Sequence, residues 1–158
     1  YNGYQPTKKT YLDNVLKIKA PYDYFQAGTI LFNLKEIRTS FSIREMLNFA
    51  SSYDWELLDQ DVLNYFFQGK VKFLDMSWNY MIDMFDLRKR DIISLANTEL
   101  YEKYMFSANH PKIIHYAGPE KPWNSPNCEF GSIFWHYCKK TSFYEETLLR
   151  SLTTYVSK

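Results

Sequence analysis

The nine residues HYAGPEKPW, His115 to Trp123, bring an imidazole, a glycine and a lysine into one short stretch. An imidazole can ligate a transition metal, a glycine lets backbone approach a bound group, and Lys121 beyond the Pro119 turn supplies a cation. Together they suit a phosphate held beside a metal ion. Asp59-Gln60-Asp61 sets two carboxylates around an amide, and Gln26-Ala27-Gly28 sets an amide near another glycine. Each residue also has an ordinary reading. His115 could be a hydrogen-bonded histidine at a strand end, Gly118 a turn glycine and Lys121 a solvated charge. Asp59 could be a helix N-cap and Gly28 a strand-entry glycine.

These groups need elements to position them. Ile113-Ile114 predicts a buried strand over 112–116, and the HYAGPEKPW loop follows where that strand ends. Ligands of open α/β sheets gather outside the carboxyl ends of strands. AGTILFNL at 27–34 and KVKFLD at 70–75 read as two further strands. Ser42 and Glu45 have capping-box spacing, with Ile43, Met46, Leu47 and Ala50 at helical intervals behind them. Asp59 to Asp61 opens another helix, with Val62, Leu63, Phe66 and Phe67 as its buried face and Gly69 as its stop. Leu12, Val15 and Leu16 share one face of a short helix ended by Pro21. Residues 91–109 are expected to be helical in parts, with Leu95, Leu100, Tyr104 and Met105 inward. Helices over 133–140 and 143–156 close the chain. Strands separated by helices mean α/β, and three strands leave a sheet edge that wants a partner.

At 158 residues the chain is long enough to bury one real core, and 46% hydrophobic residues against 23% charged is a globular balance. The net charge of +1, from 19 basic and 18 acidic residues, leaves no electrostatic footprint for nucleic acid. Cys128 and Cys138 are expected as free thiols in a reducing compartment. No apolar run is long enough to span a bilayer, and no signal peptide opens the chain. The opening at Tyr1, with no initiator methionine, suggests a piece of something longer.

Three blocks resemble, in order and approximate spacing, the family-8 retaining glycosyltransferases. They are Tyr24-Phe25-Gln26-Ala27-Gly28, Asp59-Gln60-Asp61-Val62-Leu63-Asn64 and HYAGPEKPW at 115–123. The likeness is greatest to the bacterial lipopolysaccharide and capsule enzymes and spans most of the chain up to Trp123. It implies a Rossmann-like nucleotide-diphospho-sugar transferase fold, with residues 1–158 as the carboxyl-terminal portion of a single catalytic domain. The family's first half carries uridine-binding strands and an Asp-x-Asp metal pair. Nothing here resembles that half, and Asp59-x-Asp61 falls instead in the sugar-side block. On this reading the chain alone is expected to show little or no activity.

The resemblance implies a role for each motif residue. His115 would be a ligand of Mn²⁺, with Mg²⁺ as the substitute, and Gly118 and Lys121 would clamp the diphosphate. Gln26, Ala27 and Gly28 would bind the donor sugar, with Asp59 and Gln60 against the sugar being transferred. Glutamine is a poor nucleophile, so Gln60 is expected to stabilise an oxocarbenium-like state while Asp59 binds sugar hydroxyls. Asp61 is expected as a first-turn charge favourable to the helix dipole. Many relatives carry asparagine where Gln26 stands, which leaves the donor sugar open.

The implied reaction moves galactose or glucose from a UDP-hexose to a saccharide or glycolipid acceptor in lipopolysaccharide or capsule synthesis. The implied place is the cytoplasm, at the inner membrane face. Two alternatives stay open: a non-catalytic saccharide-binding module and a degenerate transferase.

The 14 Tyr and 12 Phe admit two readings. Trp78, Tyr80, Trp123 and Trp135 could stack on sugars, with Trp78 the best acceptor candidate. Core packing is the stronger reading, because aromatic side chains bury large areas. His110 and His136 have no nameable partner. Leu148, Leu152 and Tyr155 form an apolar stripe that could pack inward or touch a membrane surface.

Overall fold

A computed structural model describes residues 6–20, 23–82, 89–90, 93–94 and 96–156. It is α/β and divides into two compact units, Tyr1–Leu74 and Asp75–Lys158.

The first unit is helical in its described residues: α1 (Pro6–Asn14), α2 (Leu34–Ser40), α3 (Ile43–Ala50) and α4 (Asp59–Phe67). Leu12 and Leu16 are both buried, but α1 ends at Asn14, so Val15 and Leu16 lie in the turn beyond it rather than on a helix face. Pro21 lies outside the described residues, and α1 stops earlier. Lys17 turns left-handed at φ 55°, and Ile18 N–H returns to the Leu12 carbonyl at 2.8 Å. The Ser42 hydroxyl caps α3 by accepting from Glu45 N–H at 3.3 Å, as the capping box requires. Gly69, at φ 73°, stands just beyond the end of α4, where only glycine is unstrained.

The core of this unit gathers Tyr11, Leu12, Leu16, Ile18, Tyr24 and Trp55. Phe49 stacks between Trp55 and Tyr65, with ring centroids at 4.5 and 3.9 Å. The Trp55 indole N–H donates to the Phe49 and Ala50 carbonyls that end α3. That bond satisfies helix-end acceptors which would otherwise need water. Tyr11, Tyr24, Phe49, Trp55 and Tyr65 are therefore core or packed against it, while Phe32, Tyr53 and Phe73 are exposed.

Three expectations change here. Residues 27–34 form no strand: a turn at 27–29 leads into an irregular run and then α2, which Asn33 caps. Leu31 is 91% exposed, so the apolar letters of that run do not report burial. Residues 70–75 are likewise irregular. In α4 the buried positions are Asp61, Asn64 and Phe67, while Val62, Leu63 and Phe66 are half-buried. Two polar residues thus lead the inward face of α4.

The second unit holds the strands. A 3₁₀ turn (Met76–Asn79) runs into β1 (Tyr80–Ile82), followed by α5 (Thr98–Asn109), β2 (Ile114–Tyr116), α6 (Gly131–Cys138) and α7 (Tyr144–Val156). β1 and β2 pair in parallel, with Met81 opposite His115. Tyr80, Ile82 and Tyr104 form the core, with Ile114, Tyr116, Met105 and Phe130 packed against them. The sequence signalled β2 but not β1, because Tyr80-Met81-Ile82 is too short to show a period. Leu95 and the Tyr155 side chain lie outside the described residues. In α7 Leu152 is exposed and Ser151 is the buried residue, so the expected apolar stripe does not pack as a whole. Cys128 and Cys138 are free. Among the described residues no helix is long and apolar enough to cross a membrane.

Candidate functional site

In the first unit the sugar-side residues are built on a buried carboxylate. Asp61 is fully buried at the start of α4. It accepts from the Tyr11 hydroxyl at 2.7 Å, the Tyr24 hydroxyl at 2.6 Å and Leu57 N–H at 2.8 Å. A buried charge is tolerable only with such partners. Burial first, and then the bond to Asp61, push both phenols above the ordinary tyrosine range, so both stay protonated and donate. Asp61 is therefore an interior anchor as well as the first-turn charge expected of it.

Gln60 links this anchor to the turn at 26–28. Its Nε2 donates to the Tyr24 hydroxyl oxygen at 3.1 Å, and its Oε1 accepts from Ala27 N–H at 3.0 Å. One turn further along α4, Asn64 exchanges two 2.8 Å bonds with the backbone N–H and carbonyl of Phe25. The stretch 24–27 is thus fastened to α4 at both Gln60 and Asn64. Gln26 turns its Oε1 back onto Gly28 N–H at 2.6 Å. Asp59 is exposed at the first position of the helix, and the N-cap is Leu58, which has no side-chain oxygen to offer. Leu58 sits at φ 51° and ψ −121°, a backbone state that favours glycine. Strain of this kind, next to Asp59 and Gln60, is what functional sites hold at a cost of about 1–3 kcal/mol.

In the second unit β2 presents His115 between two core-packed neighbours, Ile114 and Tyr116. His115 Nδ1 lies 3.0 Å from Asn79 Oδ1. A histidine held through Nδ1 by a neighbouring amide oxygen is the arrangement in which metal-binding histidines are commonly oriented. His115 thus fits a metal as one ligand. Among the described residues no group of three or more His, Cys, Asp or Glu could hold an ion.

After β2 the chain turns under Ile82, whose carbonyl accepts from Ala117 N–H at 2.8 Å and Gly118 N–H at 3.2 Å. Lys121 Nζ donates to the Tyr116 carbonyl, and Asn124 Oδ1 accepts from Lys121 N–H at 2.7 Å. The ammonium group is therefore folded over the end of β2. Burial pushes the Tyr116 phenol up to about 12, and its hydroxyl donates to the Phe130 carbonyl at 2.7 Å. Trp78 is 42% exposed, with Lys112 Nζ 4.5 Å from its ring centroid. Trp135 donates its indole N–H to the Pro122 carbonyl, and Trp123 tilts against Phe134 at 5.3 Å. Tyr80 is core.

The structure brings Gln60, Ala27, Gln26 and Gly28 together in one unit. It places His115, Gly118 and Lys121 around one strand end in the other. Asp59 adjoins Gln60 in sequence, but no bond draws it into the network. Sequence reading gave no site role to Tyr11, Tyr24, Asn64 or Asn79, and none beyond a helix charge to Asp61. One signal was available: Gln60, Asp61 and Asn64 lie three and four apart, so they share a helix face.

The chain matches the sequence model described as "Glycosyl transferase family 8" over residues 5–127. It is 26% identical over 149 residues to glycosyltransferase GlyF of Streptococcus pneumoniae, covering 93% of this chain and 35% of that protein. It is 33% identical over 112 residues to lipopolysaccharide 1,3-galactosyltransferase of Salmonella typhimurium, covering 65% of this chain and 28% of that one. Among solved structures it resembles the apo form of WbbM, a bifunctional glycosyltransferase. The TM-score is 0.78 and the identity 31%, over 90% of this chain and 25% of that one. The fold is thus that of a nucleotide-sugar transferase. The chain spans about a third of the length of the curated relatives it matches.

Proposed function

Because the chain belongs to glycosyl transferase family 8, we propose that it serves a retaining hexosyl transfer from a UDP-hexose to a saccharide or glycolipid acceptor. The observation that carries this reading is His115 at the end of a parallel strand pair, oriented by Asn79, with Gly118 and Lys121 following. The likeness to lipopolysaccharide 1,3-galactosyltransferase supports galactose or glucose as the sugar and polysaccharide synthesis as the setting. The cytoplasmic side of a membrane is where such a donor would be met.

Each residue then has a task. Mn²⁺, with Mg²⁺ as its substitute, would be held by His115 among other ligands and would offset charge on the departing diphosphate. Gly118 offers backbone of small profile beside that phosphate. Lys121 exchanges the Tyr116 carbonyl for a phosphate oxygen, so its cation meets the charge that grows as the sugar leaves. In the first unit Gln60, Gln26, Ala27 and Gly28 form a braced surface for the sugar, and exposed Asp59 binds hydroxyls. Trp78, half open with a lysine over its ring, offers a face on which an acceptor sugar can stack.

Calorimetry of UDP into the full-length protein, with the uridine-binding half present, with and without Mn²⁺ and beside His115→Ala, tests this. Metal-dependent binding that the substitution abolishes is the expected result. Binding indifferent to both metal and substitution, or none, would favour a saccharide-binding module or a degenerate transferase.

A further inference from the structure

The bonds around Gln60 have a direction that can be read without ambiguity. Ala27 N–H can only donate, so the side-chain atom facing it at 3.0 Å is Oε1. Tyr24 has one hydroxyl proton, and Asp61 takes it at 2.6 Å. The Tyr24 oxygen can then only accept, from Gln60 Nε2 at 3.1 Å. Asp61 accepts from Tyr11, Tyr24 and Leu57 N–H, so it sets the direction of the whole chain of bonds. The backbone at one end and the carboxylate at the other agree.

We infer that Asp61 and Tyr24 are positioning residues that fix which end of the Gln60 amide meets a ligand. Oε1 is committed to Ala27, and Nε2 keeps one hydrogen to give. Tyr24 takes the other hydrogen of Nε2, and Gln60 remains half-buried, within reach of solvent. An N–H donor recognises an oxygen, so Gln60 orients a sugar by a hydroxyl or ring oxygen. This rests on the transferase reading only for the identity of the ligand. The orientation itself follows from the bonds.

Reversing the direction tests it. Asp61→Asn can turn its oxygen to Tyr11 and Leu57 and its nitrogen to Tyr24, which drives the Tyr24 proton toward Gln60 and sets donor against donor. Gln60→Glu alone sets acceptor against acceptor. Both together restore a consistent order with the bonds reversed. Each single change is expected to lower Tm by about 3–8 °C and the double substitution to regain most of that loss. Losses that simply add would overturn the inference.

Tyr24→Phe supplies a signature that a merely structural role would not move. It should shift the Gln60 side-chain amide resonances, which are identified by their disappearance in Gln60→Glu. Unmoved resonances in a folded Tyr24→Phe protein would also overturn it. Titration with UDP-galactose should then move those same resonances. Movement of other residues without them sinks the donor role. With the titration run on the full-length protein, no movement anywhere counts against the transferase reading, while the double substitution still decides the orientation.

Discussion

His115 Nδ1 and Asn79 Oδ1 stand 3.0 Å apart, which ties the imidazole of β2 to the 3₁₀ turn leading into β1. The turn is itself stiffened. Asp75 Oδ1 accepts from both the hydroxyl and the backbone N–H of Ser77, bonds that hold the Asp75 carboxyl below its usual range. Losing the outer partner of a metal-binding histidine typically costs 10–100-fold in metal affinity. Asn79→Ala should therefore weaken Mn²⁺-dependent UDP binding by roughly 10–100-fold with the fold intact. Unchanged affinity in the variant would separate Asn79 from metal binding.

Alkaline pH should unfold the protein through its buried phenols. Tyr11, Tyr24 and Tyr80 titrate above their ordinary value of 10.0 in the folded state, chiefly through burial. The unfolded chain releases these protons near pH 10, and the folded chain holds them to higher pH. Stability is thus complete below pH 10 and falls as pH rises beyond it. Denaturation midpoints from pH 8 to 11.5 would show this, and Tyr24→Phe should flatten the alkaline slope. An equal slope in the variant would argue that Tyr24 carries none of it.

Leu58→Gly should stabilise. The leucine side chain is 69% exposed and contributes little burial, while its backbone is held at φ 51° and ψ −121°. Relief of that strain, less the extra entropy of an unfolded glycine, should leave a gain of about 0.5–1.5 kcal/mol. Urea denaturation reads it directly, and a net loss would mean that the dihedrals are not strained.

Gly131→Ala should do the opposite. A Cβ there would lie 2.5 Å from the Pro126 carbonyl oxygen, a backbone atom with little room to yield. A cost of about 1–3 kcal/mol is expected. A variant with wild-type Tm would mean that the loop before α6 shifts freely.

What the sequence showed depended on range. The Ser42–Glu45 cap, the Gly69 stop and the strand at His115 were legible because each is a local pattern with a local cause. The apolar run 27–34 misled. Apolar letters predict a strand only where a sheet receives them, and here Leu31 meets solvent. Asp61 was legible as a first-turn charge, but its burial was not. A carboxylate in a first helical turn is usually solvated, and only distant Tyr11 and Tyr24 make its burial tolerable. Those contacts, 50 and 37 residues away, leave no local trace. The site letters were readable through the family resemblance, but their orientation required the hydrogen bonds.

The register Tyr80↔Ile114, Met81↔His115, Ile82↔Tyr116 makes odd and even unequal in this part of the chain. Ile114 and Tyr116 point into the core while His115 takes the other side, since side chains alternate along a strand. Slipping β2 by one residue would swallow the imidazole and expel two core side chains together, whereas a slip of two would preserve the sides. Within β2 the pairing can therefore shift only by whole pairs of residues if His115 is to keep its side of the strand. A single inserted or deleted residue there would be a change of parity, felt as loss of function and loss of fold at once.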